Sequence, residues 1–189
     1  MIKGRGVADR RKQGEKIEPK DTTSPTVLTE AVMLTETIDA LEGRDVAVLD
    51  TPGPYLSADI DDEVHIVFRG TLAEMMVAAD PELYRHFVSY ETGKEVLYVR
   101  LQKALYGCPK SALLFYEKLV GDLEAYEFRI NPYDPCVANN MIGGKELTLC
   151  WHVEDLNIPR VDTNEVTKMI KWLELEYVEM NGSCGKRHD

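Results

Sequence analysis

The sequence has no long hydrophobic run, no closely spaced pair of cysteines and no excess of basic residues. No stretch approaches the roughly 18 apolar residues that a membrane span needs, and no apolar segment follows the basic start, so we expect a soluble intracellular protein without a signal peptide. Because no two cysteines form a C-x-x-C pair, a zinc ribbon and a disulfide framework are excluded, and we expect reduced thiols. The cysteines are Cys108, Cys136, Cys150 and Cys184.

The formal net charge of -11 argues against a nucleic-acid partner, because binding to phosphates normally depends on clustered Lys and Arg. The charge is unevenly distributed, however, since residues 1–20 contain seven basic and only three acidic side chains. A basic arm on an acidic body could bind a polyanion, but a solvated basic tail has the same composition. Charge alone does not decide between them.

The composition is that of one folded domain. The chain has 189 residues, of which 44% are hydrophobic and 29% are charged, which is enough for a sizeable core. It contains no internal repeat, low-complexity tract or clear domain boundary.

Alternating helix and strand patterns predict a mixed α/β fold. Ser24 and Pro25 are typical of a helix start, Gly43 ends that helix, and we expect its apolar stripe to pack on the body. That stripe comprises Val27, Ala31, Leu34, Ile38 and Leu41. Further helices are expected at 72–79, at 81–90, after Ser111 and after an N-cap at Asp162, the last two burying one face each. These faces are Ala112, Tyr116, Leu119, Leu123 and Tyr126, and then Val166, Met169, Ile170, Leu173 and Tyr177. Strands are expected at 45–50, 63–68, 95–101, 137–138 and 147–153, with Pro159 ending the strand that follows the last of these.

Two of these strands end in carboxylates. The apolar run 147–153 is followed directly by Glu154 and Asp155, and the strand 45–50 ends at Asp50. A polar turn capping a buried strand explains such acids adequately. If the strands are neighbours in one sheet, however, the three carboxylates could surround divalent cations, because Mg²⁺ prefers hard oxygen ligands and a pair of ions about 4 Å apart supports phosphoryl transfer.

Several blocks of sequence, taken in order, resemble the reverse transcriptase of copia-type LTR retrotransposons. Residues 50–56 are similar to the D-V-x-x-A-F-L motif, and His152 to Asp155 are similar to Y-V-D-D. Residues 105–116 are similar to L-Y-G-L-K-Q-S-P-R-A-W-Y, residues 3–8 to K-A-R-L-V-A, and residues 24–27 to A-P-V-V. Residues 131–136 are similar to the segment before the catalytic hairpin. Together the matches span essentially the whole chain, and as an ordered set they are specific, although each alone is weak.

The resemblance implies a right-hand polymerase palm with part of the fingers, in which an antiparallel catalytic sheet is flanked by helices. Residues 1–23 would form a basic fingers arm and residues 24–189 the fingers and palm body. The implied catalytic and metal-binding residues are Asp50, Glu154 and Asp155, which would hold two Mg²⁺ or Mn²⁺ ions. Tyr55 would exclude a ribose 2′-hydroxyl, and Gly107 would let backbone approach the nucleotide or template.

The implied partners are an RNA template, a DNA primer and a dNTP, whose triphosphate Lys3 and Arg5 would meet. Other segments of a retrotransposon polyprotein are possible further partners, and no membrane is involved. In the family the location is cytoplasmic, within virus-like particles. The reaction would be RNA-directed DNA synthesis.

The sequence departs from the family pattern at its most important motif. Glu154 replaces the first Asp of the pair, and its extra methylene displaces the carboxylate by roughly 1.5 Å, a large error for Mg²⁺ bonds of about 2.0 Å. His152, Pro54 and the Pro109 and Lys110 pair are further departures, and no segment matches the thumb or RNase H. Two alternatives therefore remain, a non-catalytic remnant or nucleic-acid-binding module and an acidic interaction protein without a nucleic-acid role.

Overall fold

The computed structural model describes residues 7–8, 22–51, 53–60, 62–142, 144–160, 163–177 and 181–184. These residues form five α-helices and two antiparallel sheets, so the predicted α+β class is confirmed for the described part of the chain. The Asp162 N-cap and most of the basic arm lie outside it. No helix in the described ranges is long and apolar enough to cross a membrane.

The predicted helices and strands occur in the expected order with shifted ends, and the strands at 88–91, 129–130 and 181–184 were not predicted. The helices are α1 (Thr29–Leu41), α2 (Thr71–Ala79), α3 (Pro81–Tyr84), α4 (Ser111–Ala125) and α5 (Thr163–Glu176). The strands are β1 (Asp45–Asp50), β2 (His65–Arg69), β3 (Val88–Glu91), β4 (Lys94–Arg100), β5 (Arg129–Ile130), β6 (Val137–Ile142), β7 (Lys145–His152), β8 (Asp155–Arg160) and β9 (Asn181–Cys184). The larger sheet has the order β5-β6-β7-β8-β1-β9, and the smaller sheet has the order β2-β4-β3.

The main core lies on one face of the six-stranded sheet. Leu49 on β1 is paired with Leu156 on β8, which is in turn paired with Trp151 on β7, and all three side chains are buried. Because side chains alternate along a strand, the neighbours of these residues point to the opposite face. The helices α4 and α5 cover the core face with Phe115, Leu119, Leu123, Met169 and Leu173.

A polar contact joins the two helices behind the sheet. The hydroxyl of the buried Tyr177 donates to Asp122 Oδ2 at 2.5 Å, and Lys118 Nζ lies 2.8 Å from the same oxygen. Lys118 also lies 5.1 Å from the centroid of the Tyr177 ring. Burial and the Asp122 hydrogen bond raise the pKa of Tyr177. The contact holds α4 and α5 together as a support for the sheet.

The predicted apolar stripe of the first helix packs on the body only at its start, where Val27 contacts the main core and Ala31 is half-buried. Leu34, Ile38 and Leu41 are 62%, 40% and 83% exposed, whereas Thr35 and Asp39 are buried. The helix lies against the sheet face opposite the main core, which carries polar side chains, and its own polar groups are satisfied locally. Thr35 Oγ1 donates to the carbonyl oxygen of Ala31, and Arg44 Nη1 lies 3.4 Å from Asp39 Oδ1.

Three predicted boundaries also need correction. The first helix begins at Thr29 with Leu28 as N-cap, because Ser24 Oγ donates to the carbonyl oxygen of Pro25 instead of capping a helix. The helix predicted at 81–90 ends as a 3₁₀ turn, Arg85–Phe87, and the chain continues as β3. Pro159 does not end its strand, because there β8 pairs only with β1 and no second ladder needs the missing N–H.

The cysteines agree with the prediction of reduced thiols as far as the structure describes them. Cys108, Cys136 and Cys150 are free and buried. Burial raises the pKa of the Cys136 thiol from 9.0 to about 12, and the nearby charge of Asp134 adds to this effect.

We expect the Cys136 thiol to make unfolding depend on alkaline pH. Its stabilisation is fully present below pH 9.0, where the thiol of the unfolded chain is protonated, and it is lost as the pH rises towards 12. Between these values Cys136 lowers the free energy of unfolding by up to about 1.4 kcal/mol per pH unit. Urea unfolding of the wild type and Cys136→Ala at several alkaline pH values measures this slope. Parallel pH dependences in the two proteins would contradict the prediction.

Candidate active site

Two of the three predicted catalytic acids face each other across the six-stranded sheet. Asp50 at the end of β1 is the direct antiparallel partner of Asp155 at the start of β8. Since Leu49 and Leu156 point into the core, both acids lie on the opposite face, where the Cβ atoms of directly paired residues are about 4.5–5.5 Å apart. Like charges in such a pair repel one another. This rung therefore places two carboxylates side by side.

The same rung continues onto β7. Asp155 is also paired with His152, so the residues at 50, 155 and 152 form one row across three strands. The side chains of all three residues are exposed at this end of the sheet. His152 therefore places an imidazole beside Asp155, two strands away from Asp50.

Glu154 lies in the tight turn that joins β7 to β8. Val153, the first of the two turn residues, has φ of 56°, which is unusual for a β-branched side chain and costs about 1–2 kcal/mol. The carbonyl oxygen of Glu154 accepts a hydrogen bond from the Thr51 N–H at 3.3 Å. This bond ties the turn to the chain just after Asp50. Strain of this kind is concentrated at functional sites.

Of the predicted metal ligands, the carboxylates at 50 and 155 are direct neighbours in the sheet. Mg²⁺ is commonly held by one or two carboxylates together with waters and substrate phosphates. Among the residues that the structure describes, no group of three or more His, Cys, Asp or Glu side chains is arranged to hold a metal ion. The sheet therefore brings together two of the three predicted ligands as a neighbouring pair.

Tyr55 is positioned by a compact turn that follows β1. Gly53 has φ of 65° and leads into the 3₁₀ turn Pro54–Ser57, which the Ser57 hydroxyl stabilises by donating to the carbonyl oxygen of Pro54. The Tyr55 ring centroid lies 4.4 Å from that of Tyr106 and 6.2 Å from that of Phe115. The half-buried Tyr55 thus joins the turn after Asp50 to the loop that contains Gly107.

Backbone lies very close to Gly107, but it belongs to this chain and not to a nucleotide or template. Its φ is 91°, and a Cβ atom built on it would lie 2.2 Å from the Ala8 carbonyl oxygen and 2.8 Å from Val7 Cγ1. The Ala8 N–H donates to the carbonyl oxygen of Tyr106 at 2.8 Å. The loop is held from within, because Ser111 Oγ donates to the carbonyl oxygen of Leu105 at 2.7 Å.

These pieces line an open cavity of about 480 Å³. Val7, Ala8, Tyr55, Tyr106 and Gly107 are among the residues that line it. Its described lining does not include the carboxylates at the end of β1 and β8. Among the described residues, the predicted site residues therefore fall into two groups. The acids lie where β1 ends and β8 begins, and Tyr55 and Gly107 lie at the cavity.

The predicted triphosphate ligands, Lys3 and Arg5, lie outside the described residues. Two participants were not predicted as site residues, Tyr106 and the Val7–Ala8 segment. Tyr106 belongs to the Leu-Tyr-Gly motif and could have been chosen with Gly107. Val7 and Ala8 belong to the matched block 3–8, but that motif did not indicate that they contact the loop of Gly107.

The fold is α+β. Asp50 and Asp155 are paired where β1 ends and β8 leaves the turn of the β7–β8 hairpin. No protein-family model, curated protein or solved structure matches this chain.

Proposed function

We propose that the chain is the palm and part of the fingers of a copia-type reverse transcriptase, an RNA-directed DNA polymerase of an intracellular retrotransposon. The observation that carries the proposal is the direct pairing of Asp50 with Asp155 across adjacent antiparallel strands. The sequence motifs at 50–56 and 152–155 lie far apart in the chain, and the sheet register pairs Asp50 of the first with Asp155 of the second.

The proposed reaction joins a primer to a nucleotide. The primer 3′-hydroxyl oxygen forms a bond to the α-phosphorus of a dNTP, the hydroxyl proton is lost, and the bond to the pyrophosphate leaving group breaks. In this proposal Asp50 and Asp155 face the triphosphate, and the Tyr55 ring limits the space beside the sugar. Lys3 and Arg5 are proposed to contact the triphosphate from the basic arm.

Divalent cations belong to the same proposal. Asp50 and Asp155, with Glu154 beside them, would hold Mg²⁺ or Mn²⁺, which when bound neutralises charge on the phosphates and on the attacking and leaving oxygens. The repulsion between directly opposed carboxylates supports this assignment, because a cation relieves it. Primer extension on an RNA template in the presence of Mg²⁺ or Mn²⁺ tests the proposed function.

A second candidate is a non-catalytic nucleic-acid-binding remnant of such an enzyme. It is favoured by Glu154, whose longer side chain stands where the family has Asp, and by the lack of a three-residue metal cluster among the described side chains. The acidic interaction protein is the third candidate. Binding of a primed template without extension would favour the remnant, and no binding at any salt concentration would favour the interaction protein.

We expect Glu154→Asp to increase activity. The shorter side chain moves the carboxylate back by roughly 1.5 Å towards the position that a bond of about 2.0 Å to Mg²⁺ requires. We expect the apparent metal affinity to rise by about tenfold, within the range that residues supporting a metal site contribute. Primer extension as a function of Mg²⁺ concentration measures this change.

Glu124→Asp is the matched control, since the same shortening on the exposed side of α4 should change nothing. If Glu154→Asp and Glu124→Asp behave alike, the carboxylate of Glu154 takes no part in metal binding.

A further inference from the structure

The smaller sheet has one face that is largely buried or half-buried and one face that is largely exposed. Directly paired residues of antiparallel strands share a face. Ile66, Phe68, Val88, Leu97 and Val99 lie on the first face, and all are buried or half-buried. The second face carries mainly polar side chains. They are His65, Arg69, Ser89, Glu91, Lys94, Tyr98 and Arg100, with the half-buried Val67 and the buried Val96 between them, and we call this surface the basic sheet face.

The basic sheet face has three permanent cations and one carboxylate, in a chain with a formal charge of -11. Arg69 Nη2 lies 3.3 Å from Glu91 Oε2, and the Tyr98 hydroxyl donates to Glu91 Oε1 at 2.5 Å. These contacts run from β2 to β3 across β4, over Val96, which is 1% exposed. The carboxylate of Glu91 thus has two partners on its own face, while its side chain stays 43% exposed.

Lys94 and Arg100 mark the two ends of β4. Five residues of strand lie between them, so their Cα atoms are about 20 Å apart, and both side chains are exposed. That span is long enough to contact several consecutive phosphates of an extended strand. Tyr98 lies between them with 47% of its surface exposed, and its hydroxyl is fixed on Glu91. An exposed ring held between two cations suits a stacked base beside its backbone.

We propose that the basic sheet face binds a single strand of RNA, with Lys94 and Arg100 on the phosphates and Tyr98 against a base. Charge complementarity supports this partner, because the acidic body repels a polyanion whereas this face carries more cations than carboxylates. The inference deepens the proposed function, on which it rests for the identity of the strand as template. Its chemistry does not involve the carboxylates of the candidate active site.

The test is binding of a fluorescent single-stranded RNA of about 20 nucleotides to the full chain, measured by anisotropy over a range of salt concentrations. We expect the double variant Lys94→Gln/Arg100→Gln to flatten the slope of log affinity against log salt by about 1.4, since each phosphate contact on a single strand contributes about 0.7. The matched control is Arg129→Gln/Lys145→Gln. It removes one Arg and one Lys, both exposed, from strands of the other sheet, and the slope should stay unchanged.

Two Tyr98 variants separate stacking from the Glu91 hydrogen bond. Tyr98→Phe keeps the ring and should bind RNA as the wild type does, whereas Tyr98→Ser should bind at least about fivefold more weakly. Equal losses in the two double variants, or no salt-dependent binding by the wild type, would overturn the inference. A blunt duplex that binds through this face as tightly as the single strand would overturn the assignment to single strands.

Failure of this inference is distinguishable from failure of the proposed function. If the wild type extends a primer and Lys94→Gln/Arg100→Gln binds RNA unchanged, the basic sheet face is not the template surface. The proposed polymerase function then still stands. RNA binding through the face without any extension removes the polymerase and leaves an RNA-binding surface.

Discussion

Asp50→Asn is expected to abolish primer extension while leaving the fold intact. The substitution keeps the size of the side chain but removes the negative charge from the rung that Asp50 shares with Asp155. Loss of an outer-shell partner of a metal site already costs about 10–100-fold, and we expect the loss of a direct ligand to cost more. Because Asp50 is exposed at the end of β1, Asn should fit without strain. Rates of single-nucleotide extension on a primed RNA template give the measurement.

The control for this prediction is Asp59→Asn. Asp59 is an exposed acid whose Oδ1 lies 2.7 Å from Lys103 Nζ, on the loop after the Tyr55 turn, and it takes no part in the acid rung. We expect near wild-type extension from it. Thermal unfolding of both variants checks that a loss of extension is not caused by a loss of stability. If the Asp50→Asn variant still extends the primer, Asp50 is not a catalytic residue and the proposed polymerase function is contradicted.

The acid rung was predictable because two independent patterns agreed. Strand alternation in the residues before Asp50 and before Glu154 predicted two strands that each end in a carboxylate. The order of the motifs supplied the expectation that they are neighbours, which local propensity cannot give because pairing joins distant segments. The register then decided which acids meet. It pairs Asp50 with Asp155, while Glu154 lies in the turn.

The orientation of α1 could not be read from its hydrophobic stripe. An apolar stripe at helical spacing indicates which face a helix would bury against an apolar surface. Here the main core is already covered by α4 and α5, and α1 lies on the other side of the sheet. Asp39 is buried there beside Arg44, and burial raises the pKa of its carboxyl. The choice of face depended on what the sheet presented to the helix, which is a property of the assembled fold.

Gly107 shows a different limit. The sequence motif correctly suggested that glycine is needed for a close approach of backbone, and the left-handed φ of 91° agrees. The expected partner was a nucleotide or template, whereas the contacts that the structure describes are with Val7 and Ala8. A glycine at such a position indicates that another group approaches closely, but the tertiary contacts determine which group that is.

Gly107→Ala is expected to release the Val7–Ala8 segment from the loop. The new methyl group would lie 2.2 Å from the Ala8 carbonyl oxygen, and alanine would also be held at a φ of 91°. Left-handed strain and the lost hydrogen bond between Ala8 and Tyr106 together cost about 2–3 kcal/mol. This corresponds to a decrease of about 30- to 150-fold in the ratio of docked to released segment. Hydrogen exchange at the Ala8 amide, measured by NMR, reports that ratio directly.

Gly93→Ala separates the clash from the strain. Gly93 has φ of 79° in the turn between β3 and β4, but a Cβ atom there meets nothing within 4 Å. Both variants therefore bear the conformational cost, and only Gly107→Ala introduces the collision. We expect exchange at Ala8 to accelerate in Gly107→Ala and to match the wild type in Gly93→Ala. Equal acceleration in both would show that protection at Ala8 follows global stability, and an unchanged rate in Gly107→Ala would mean that the loop does not hold this segment.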